Sequence, residues 1–240
     1  RRKRHNINLK WGKKVSAIGW YDYSGGKHYS LPRVYFHQTA DYLKWGYNNN
    51  VKYYYTEAYP PVGAIEGPKL YLTLKLLWNP NADVDEILKQ WYEMAVGVDA
   101  APYLADYFGF WEDFWTKTIP TGKWFKESGD STYLAYTSTG YFNMLTKKDF
   151  EKCERLLKNV ISKAVTDIQK ERAQQIYDTF KPMKEEVLSK IEFDELNTRD
   201  FSNYNIETVN ESGFSDDLDG WANWKNGFSK SVFKWDLAVG

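Results

Sequence analysis

The chain is short of several residue types and patterns that would point to a function. Cys153 is its only cysteine among 240 residues, which excludes an internal disulfide and a thiolate metal cage. Its three histidines, His5, His28 and His37, are too scattered to read as metal ligands. Charge of one sign is absent too: 32 basic side chains balance 32 acidic ones, so no net field favours nucleic acid or an anionic membrane surface. No run approaches the roughly 20 apolar residues that span a bilayer. The opening Arg1-Arg2-Lys3-Arg4 lacks the apolar stretch that a signal peptide carries after its basic start. The expectation is a soluble chain with no visible leader. Neither a dinucleotide nor a phosphate loop is present, since Gly25-Gly26 and Gly63 match neither pattern. No serine–histidine nucleophile is signalled, and no cofactor is implied.

What the chain has in quantity is aromatic: 11 Trp, 19 Tyr and 13 Phe make 18% of it. Such rings either bury large areas in a core or present faces on which sugars stack. With 42% hydrophobic residues, 240 residues suffice for one ordinary core or two small ones.

The first third alternates. VSAIGWYDY, from Val15 to Tyr23, reads as a strand ending near Asp22, followed by a loop at Gly25-Gly26. Pro32 suits a first helical turn, with Val34, Tyr35, Ala40, Leu43 and Trp45 following at loosely helical spacing, and Gly46 with Asn48 to Asn50 closing the helix. Val51 to Tyr55 reads as a second strand. Gly67-Pro68 opens a second helix carrying Leu70, Leu74, Leu77 and Trp78. Consecutive strand–helix units imply parallel strands with crossover helices.

From Asp83 the pattern is helical. Asp83 and Glu86 are spaced as a capping box ahead of Ile87, Leu88, Trp91, Met94 and Ala95, and Gly97 ends that helix. Asp99 and Pro102 begin the next, with a stripe of Tyr103, Leu104, Tyr107, Phe108, Trp111, Phe114 and Trp115. Pro120 to Thr146 has no period and reads as a long ordered loop across a cleft. Thr146 and Asp149 then cap a helix with Phe150, Cys153, Leu156, Leu157, Val160 and Ile161 inward. Its antiparallel partner runs from about Asp167 to Ile191, kinked or broken at Pro182. The segment from Asn210 to Gly240 holds turn residues between short apolar pieces, as in antiparallel β structure.

The candidate site lies at the strand ends. Glu57 comes where the second strand runs out, and in strand-then-helix folds ligands bind there. Asp22 ends the first strand. In a parallel sheet the two point to one rim and converge on one ligand, and sugar hydrolysis requires a carboxylate pair about 5 to 9.5 Å apart. Trp20, Tyr21, Tyr55 and Tyr59 supply aromatic platforms beside them. A carboxylate with rings suits a sugar, which offers both hydroxyls and C–H faces. The competing reading makes Asp22 a turn cap and Glu57 an ion-pair partner.

The run YYTEAY, followed by EGPKLYLTLKLLWNP and DVDEILKQWYEMAVGVDAAPYLADYFGFWEDFW, resembles the family grouped as domain of unknown function 4838. Those proteins are glycoside-hydrolase-like, related to α-glucuronidase and hexosaminidase barrels. The resemblance covers roughly Val15 to Leu196, and LLWNP-x-x-DVD from Leu76 to Asp85 is its most specific part. It implies an α+β, mostly α chain: the last β/α units of a (β/α)8-type barrel over 1–80, a helical domain over 81–200, and a short β-rich tail over 201–240. The tail GFSDDLDGWANW resembles the first strands of a carbohydrate-binding jelly roll. A whole barrel takes about 250 residues, so the resemblance implies that the proton-donating acid lies outside this chain and that Glu57 holds substrate hydroxyls. The partners it implies are an oligosaccharide or polysaccharide and the remainder of a longer protein, in an extracellular or periplasmic setting. The alternative is a non-catalytic glycan-binding or surface-scaffold protein.

Overall fold

The computed structural model describes residues 2–24, 29–57, 63–132 and 138–198. It is mostly helical with a small two-stranded sheet, as the α+β, mostly α expectation has it. Tyr59, the expected Gly25-Gly26 loop and the β-rich tail expected over 201–240 lie outside the described residues.

The chain starts with α1 (Arg2–Gly12), which the polar sequence there does not signal. Aromatic-rich β1 (Ile18–Tyr23) and β2 (Val51–Glu57) pair in parallel, with α2 (Phe36–Asn48) as the connection between them. Ile18 faces Val51 but Gly19 faces Tyr53, so the register slips by a residue at Lys52. Beyond the slip Trp20 pairs with Tyr54, Tyr21 with Tyr55, and Tyr23 with Glu57.

α2 starts at Phe36, a turn later than Pro32 suggests. Pro32 belongs instead to a buried segment without regular secondary structure, and its carbonyl accepts from Trp115 Nε1 at 2.6 Å. Gly46 is inside the helix rather than past its end. A Cβ there would lie 2.6 Å from the Trp20 ring, so glycine lets the indole lie against the helix backbone. Asn50 takes the left-handed conformation after the helix, at φ 66°.

α3 (Gly63–Trp78) starts ahead of Gly67-Pro68 and carries Pro68 inside it. Its buried face includes Glu66, Lys69, Leu72, Thr73 and Leu76, whereas Leu74, Leu77 and Trp78 are exposed. The expected stripe is therefore out of phase. α4 (Val84–Val96) is capped by Asp83, whose carboxylate accepts from the N–H groups of Asp85 and Glu86 at 2.9 and 3.1 Å. Among the described residues the return bond from Glu86 that completes a box is not formed. Ile87, Leu88, Tyr92 and Val96 are buried, Trp91 and Ala95 partly so, and Met94 faces solvent. Gly97 ends the helix at φ 89°.

On α5 (Ala101–Asp113) the aromatic stripe is core: Leu104, Tyr107, Phe108 and Trp111 are buried, with Phe114 and Trp115 beyond them. The expected long loop holds a π-helical turn at Phe114–Thr118, a 3-10 turn at Ile119–Thr121, α6 (Lys123–Glu127) and another 3-10 turn at Gly140–Met144. Trp124, Tyr141 and Phe142 anchor it in the core, so its described parts are packed structure rather than a cover over a cleft.

Thr146 and Asp149 form the expected capping box of α7 (Lys147–Lys163). A connection of three residues leads to α8 (Asp167–Thr198), which forces the two antiparallel. Phe150, Cys153, Leu157 and Val160 are buried on one, and Ile176, Phe180, Met183 and Val187 on the other. α8 continues through Pro182 without a break, with Phe180 and Met183 buried on either side of it. Burial pushes the Cys153 thiol well above its ordinary range, so it is a small buried hydrophobe. A single hydrophobic cluster runs from Tyr29 to Val187, joining the strand–helix part to the helices that follow. No helix among the described residues is long and apolar enough to cross a membrane.

Candidate functional site

Side chains alternate across a strand, and with the observed register this alternation divides the expected site between two faces. Tyr21, Tyr23, Tyr53, Tyr55 and Glu57 occupy one face. Trp20, Asp22, Tyr54 and Thr56 occupy the other, towards the helices. Asp22 and Glu57 both lie near the carboxyl ends of their strands but project from opposite faces. They do not form the expected pair acting across a single glycosidic bond.

The outer face is open to solvent. Tyr21, Tyr53 and Tyr55 are 57%, 70% and 62% exposed. The Tyr21 and Tyr55 rings stack at 5.0 Å between centroids, and Tyr23 meets Tyr21 edge-on at 5.3 Å. The Tyr21 hydroxyl donates to Glu57 Oε1. That bond to Glu57 is the main cause holding the Tyr21 hydroxyl far above its ordinary pKa, with a second contribution from Tyr23. The phenol therefore remains a donor, and two stacked rings adjoin a carboxylate.

The inner face is packed. Trp20 is 9% exposed and lies between α2 and the sheet, stacked on Tyr42 at 4.2 Å and Trp45 at 6.1 Å. It serves as packing and offers no open stacking platform. Asp22 accepts from the Tyr54 hydroxyl at 3.1 Å and from the Tyr23 N–H at 2.8 Å. Burial first, and Asp22 second, push the Tyr54 hydroxyl far up. A cavity of about 700 Å³ opens here, lined in part by Asp22, Gln38, Asp41, Tyr54 and Lys69.

Sequence reasoning missed a buried charged group beside this cavity. Lys69 is 4% exposed; its Nζ donates to Glu66 Oε1 at 2.7 Å and to the Arg33 carbonyl at 3.1 Å. Arg33 is also 4% exposed. Its guanidinium carbon lies 4.9 Å from the centre of the Tyr29 ring and 5.3 Å from that of Tyr35, and its Nε is buried with no hydrogen-bond partner. Among the described residues, only Lys69 of these two buried cations pairs with a carboxylate, that of Glu66. A cation over an aromatic face gains about 0.5–2 kcal/mol, whereas an unpaired buried ion costs on the order of several kcal/mol. The available signal was an arginine inside the otherwise apolar run LPRVYF.

A second cavity, of about 550 Å³, is lined by residues of α2, α4 and α5. His37 sits at its wall with Nδ1 3.1 Å from Glu112 and Nε2 3.3 Å from Asp85. The His37 N–H also donates to Glu112 at 2.9 Å, giving α2 the N-terminal acceptor that Tyr35 does not supply. Burial disfavours the charged imidazole, but Glu112 and Asp85 outweigh it and raise the His37 pKa above its ordinary value. Among the described residues no cluster of His, Cys, Asp and Glu is arranged to hold a metal ion.

Residues 2–109 match the sequence family described as Domain of unknown function (DUF4838). That stretch contains both strands and both cavities' α2 walls, and it supports the resemblance read from LLWNP-x-x-DVD. No curated protein and no solved structure matches the chain.

Proposed function

With that family match as premise, we propose that this chain is the glycan-holding part of a glycoside-hydrolase-like protein acting on a plant or host polysaccharide outside the cytoplasm. The reading rests on the outer face of the sheet, where the exposed, stacked Tyr21 and Tyr55 rings adjoin Glu57 at a strand's carboxyl end. The rings take the C–H face of a pyranose, and the carboxylate accepts from its hydroxyls. Parallel strands with helices on one side and aromatic residues on the other fit the last β/α units of a (β/α)8 barrel, whose ligands lie at that end. The DUF4838 match over residues 2–109 adds to this reading without naming a substrate.

A non-catalytic glycan-binding role is the second reading, and the opposite orientation of Asp22 and Glu57 favours it. Calorimetry on a panel of oligosaccharides, with aryl-glycoside turnover measured on the same samples, tests both. Glu57→Ala is expected to weaken binding at least tenfold, and the wild-type chain to show no turnover. Unchanged affinity removes Glu57 from the site. Hydrolysis that disappears in Glu57→Gln makes Glu57 catalytic.

A further inference from the structure

We infer that Arg33 and Lys69 form a receptor for one anionic group, a carboxylate or sulfate carried by an acidic saccharide. Arg33 is buried, and among the described residues its guanidinium Nε has no hydrogen-bond partner. Lys69 is buried beside it, tied to the Arg33 carbonyl and to Glu66. Both cations face the same ring: the Arg33 guanidinium lies 5.3 Å and the Lys69 ammonium 5.7 Å from the centre of Tyr35. Glu66 pairs with Lys69, which leaves the Arg33 charge for a bound anion to complete. The planar fork of arginine matches two oxygens of a carboxylate or sulfate, while lysine adds a point charge.

Position agrees with charge. Arg33 lies in the segment leading from β1 to α2, and Lys69 is in the second turn of α3, after β2. Both connections leave the carboxyl ends of parallel strands, where open α/β sheets bind ligands. Tyr35 and Lys69 line the cavity of about 700 Å³ whose wall also holds Asp22, Gln38, Asp41 and Tyr54. Those side chains supply donors and acceptors for hydroxyls. Charge is balanced over the whole chain, so no net field favours a polyanion such as nucleic acid, and the site suits one acidic group on a neutral, hydroxyl-rich body. The saccharide half of this inference rests on the proposed function; the anion half stands without it.

Titration calorimetry on the full chain tests it, with sodium glucuronate, glucose, sodium acetate and sodium sulfate as probes, against wild type, Arg33→Met and Arg33→Lys. Wild type is expected to bind glucuronate at least tenfold tighter than glucose, with acetate or sulfate competing for glucuronate alone. Competition by acetate identifies a carboxylate site, and competition by sulfate alone a sulfate site. Arg33→Met is expected to lose the margin, and Arg33→Lys to keep part of it. Should Arg33→Met not fold, the competition in wild type decides. Equal affinity for glucuronate and glucose overturns the anion site and leaves the glycan reading standing. Acetate or sulfate binding that requires Arg33, with no sugar bound better than free anion, does the reverse. Glucuronate affinity unchanged in Arg33→Met, or no anion bound at all, overturns the inference.

Discussion

Tyr107, Phe108 and Trp111 on α5 and Tyr21, Tyr53 and Tyr55 on the sheet are all large aromatic residues, yet the first group is sealed in the core and the second faces water. On α5 the rings pack on each other and on neighbouring helices, Trp111 edge-on to Phe114 at 5.9 Å and tilted against Phe150 at 6.3 Å, Phe108 edge-on to Phe36 at 6.4 Å. On the sheet Tyr21 stacks on Tyr55 and meets Tyr23 edge-on along one face, beside Glu57. The same side-chain chemistry therefore builds the scaffold in one region and a polar-edged aromatic surface in the other. Aromatic content by itself does not separate the two; the partners around each ring do.

The largest expected effect breaks the scaffold side of this contrast. Trp111→Ala removes a fully buried ring and is expected to lower stability by about 3–5 kcal/mol, whereas Tyr53→Ser on the open face is expected to change it by no more than about 0.5 kcal/mol. Chemical denaturation followed by tryptophan fluorescence and circular dichroism reads both. Comparable losses from the two would erase the distinction.

A smaller effect is expected where scaffold and sheet meet. Alanine is favoured over glycine in a helix by about 1 kcal/mol, but a Cβ at Gly46 would stand 2.6 Å from the Trp20 ring. Overpacking costs about 1–3 kcal/mol, so Gly46→Ala is expected to destabilise. Pairing it with Trp20→Leu is expected to turn the same change neutral or favourable. Destabilisation that persists in the double variant would show that the indole is not what excludes a side chain at Gly46.

The smallest effect is a pH dependence at the helical junction. His37 has a raised pKa in the folded chain, through Glu112 and Asp85 acting against burial. Its contribution is fully present below the unfolded value of about 6.5 and is lost as pH rises through the folded value. Since the His37 side chain is 57% exposed, the contribution is expected to stay under about 1 kcal/mol. Melting temperatures of wild type and His37→Gln across that pH range should converge at the alkaline end and separate at the mildly acidic end. A constant difference would remove the imidazolium from the junction.

Local chemistry was legible in the sequence. Thr146 with Asp149 and Asp83 ahead of α4 act as caps because capping depends on residues three apart. The α5 stripe was legible because its period is sustained over several turns, and the parallel pairing because a helix separates the strands. The phases of α3 and α4 were not, since Tyr92 and Val96 turn inward through contacts such as the stack of Tyr92 on Phe108, which belongs to α5. Likewise Pro68 and Pro182 sit inside helices that continue past them.

At the candidate site the limit was register. Each strand shows its own alternation, but whether Asp22 and Glu57 share a face depends on how the strands align, and the slip at Lys52 is invisible in either strand alone. The Arg33–Lys69 contact joins residues that are 36 apart along the chain. Only the isolated charge in an apolar run hinted at it.

The claim that the open aromatic face binds sugar is tested most directly by calorimetric titration of an oligosaccharide panel into wild type and Tyr55→Ser, with melting temperature recorded for each. Tyr55 is exposed and stacks on Tyr21 beside Glu57. The expected result is a loss of at least tenfold in affinity with the melting temperature unchanged. Undiminished binding in Tyr55→Ser would contradict it.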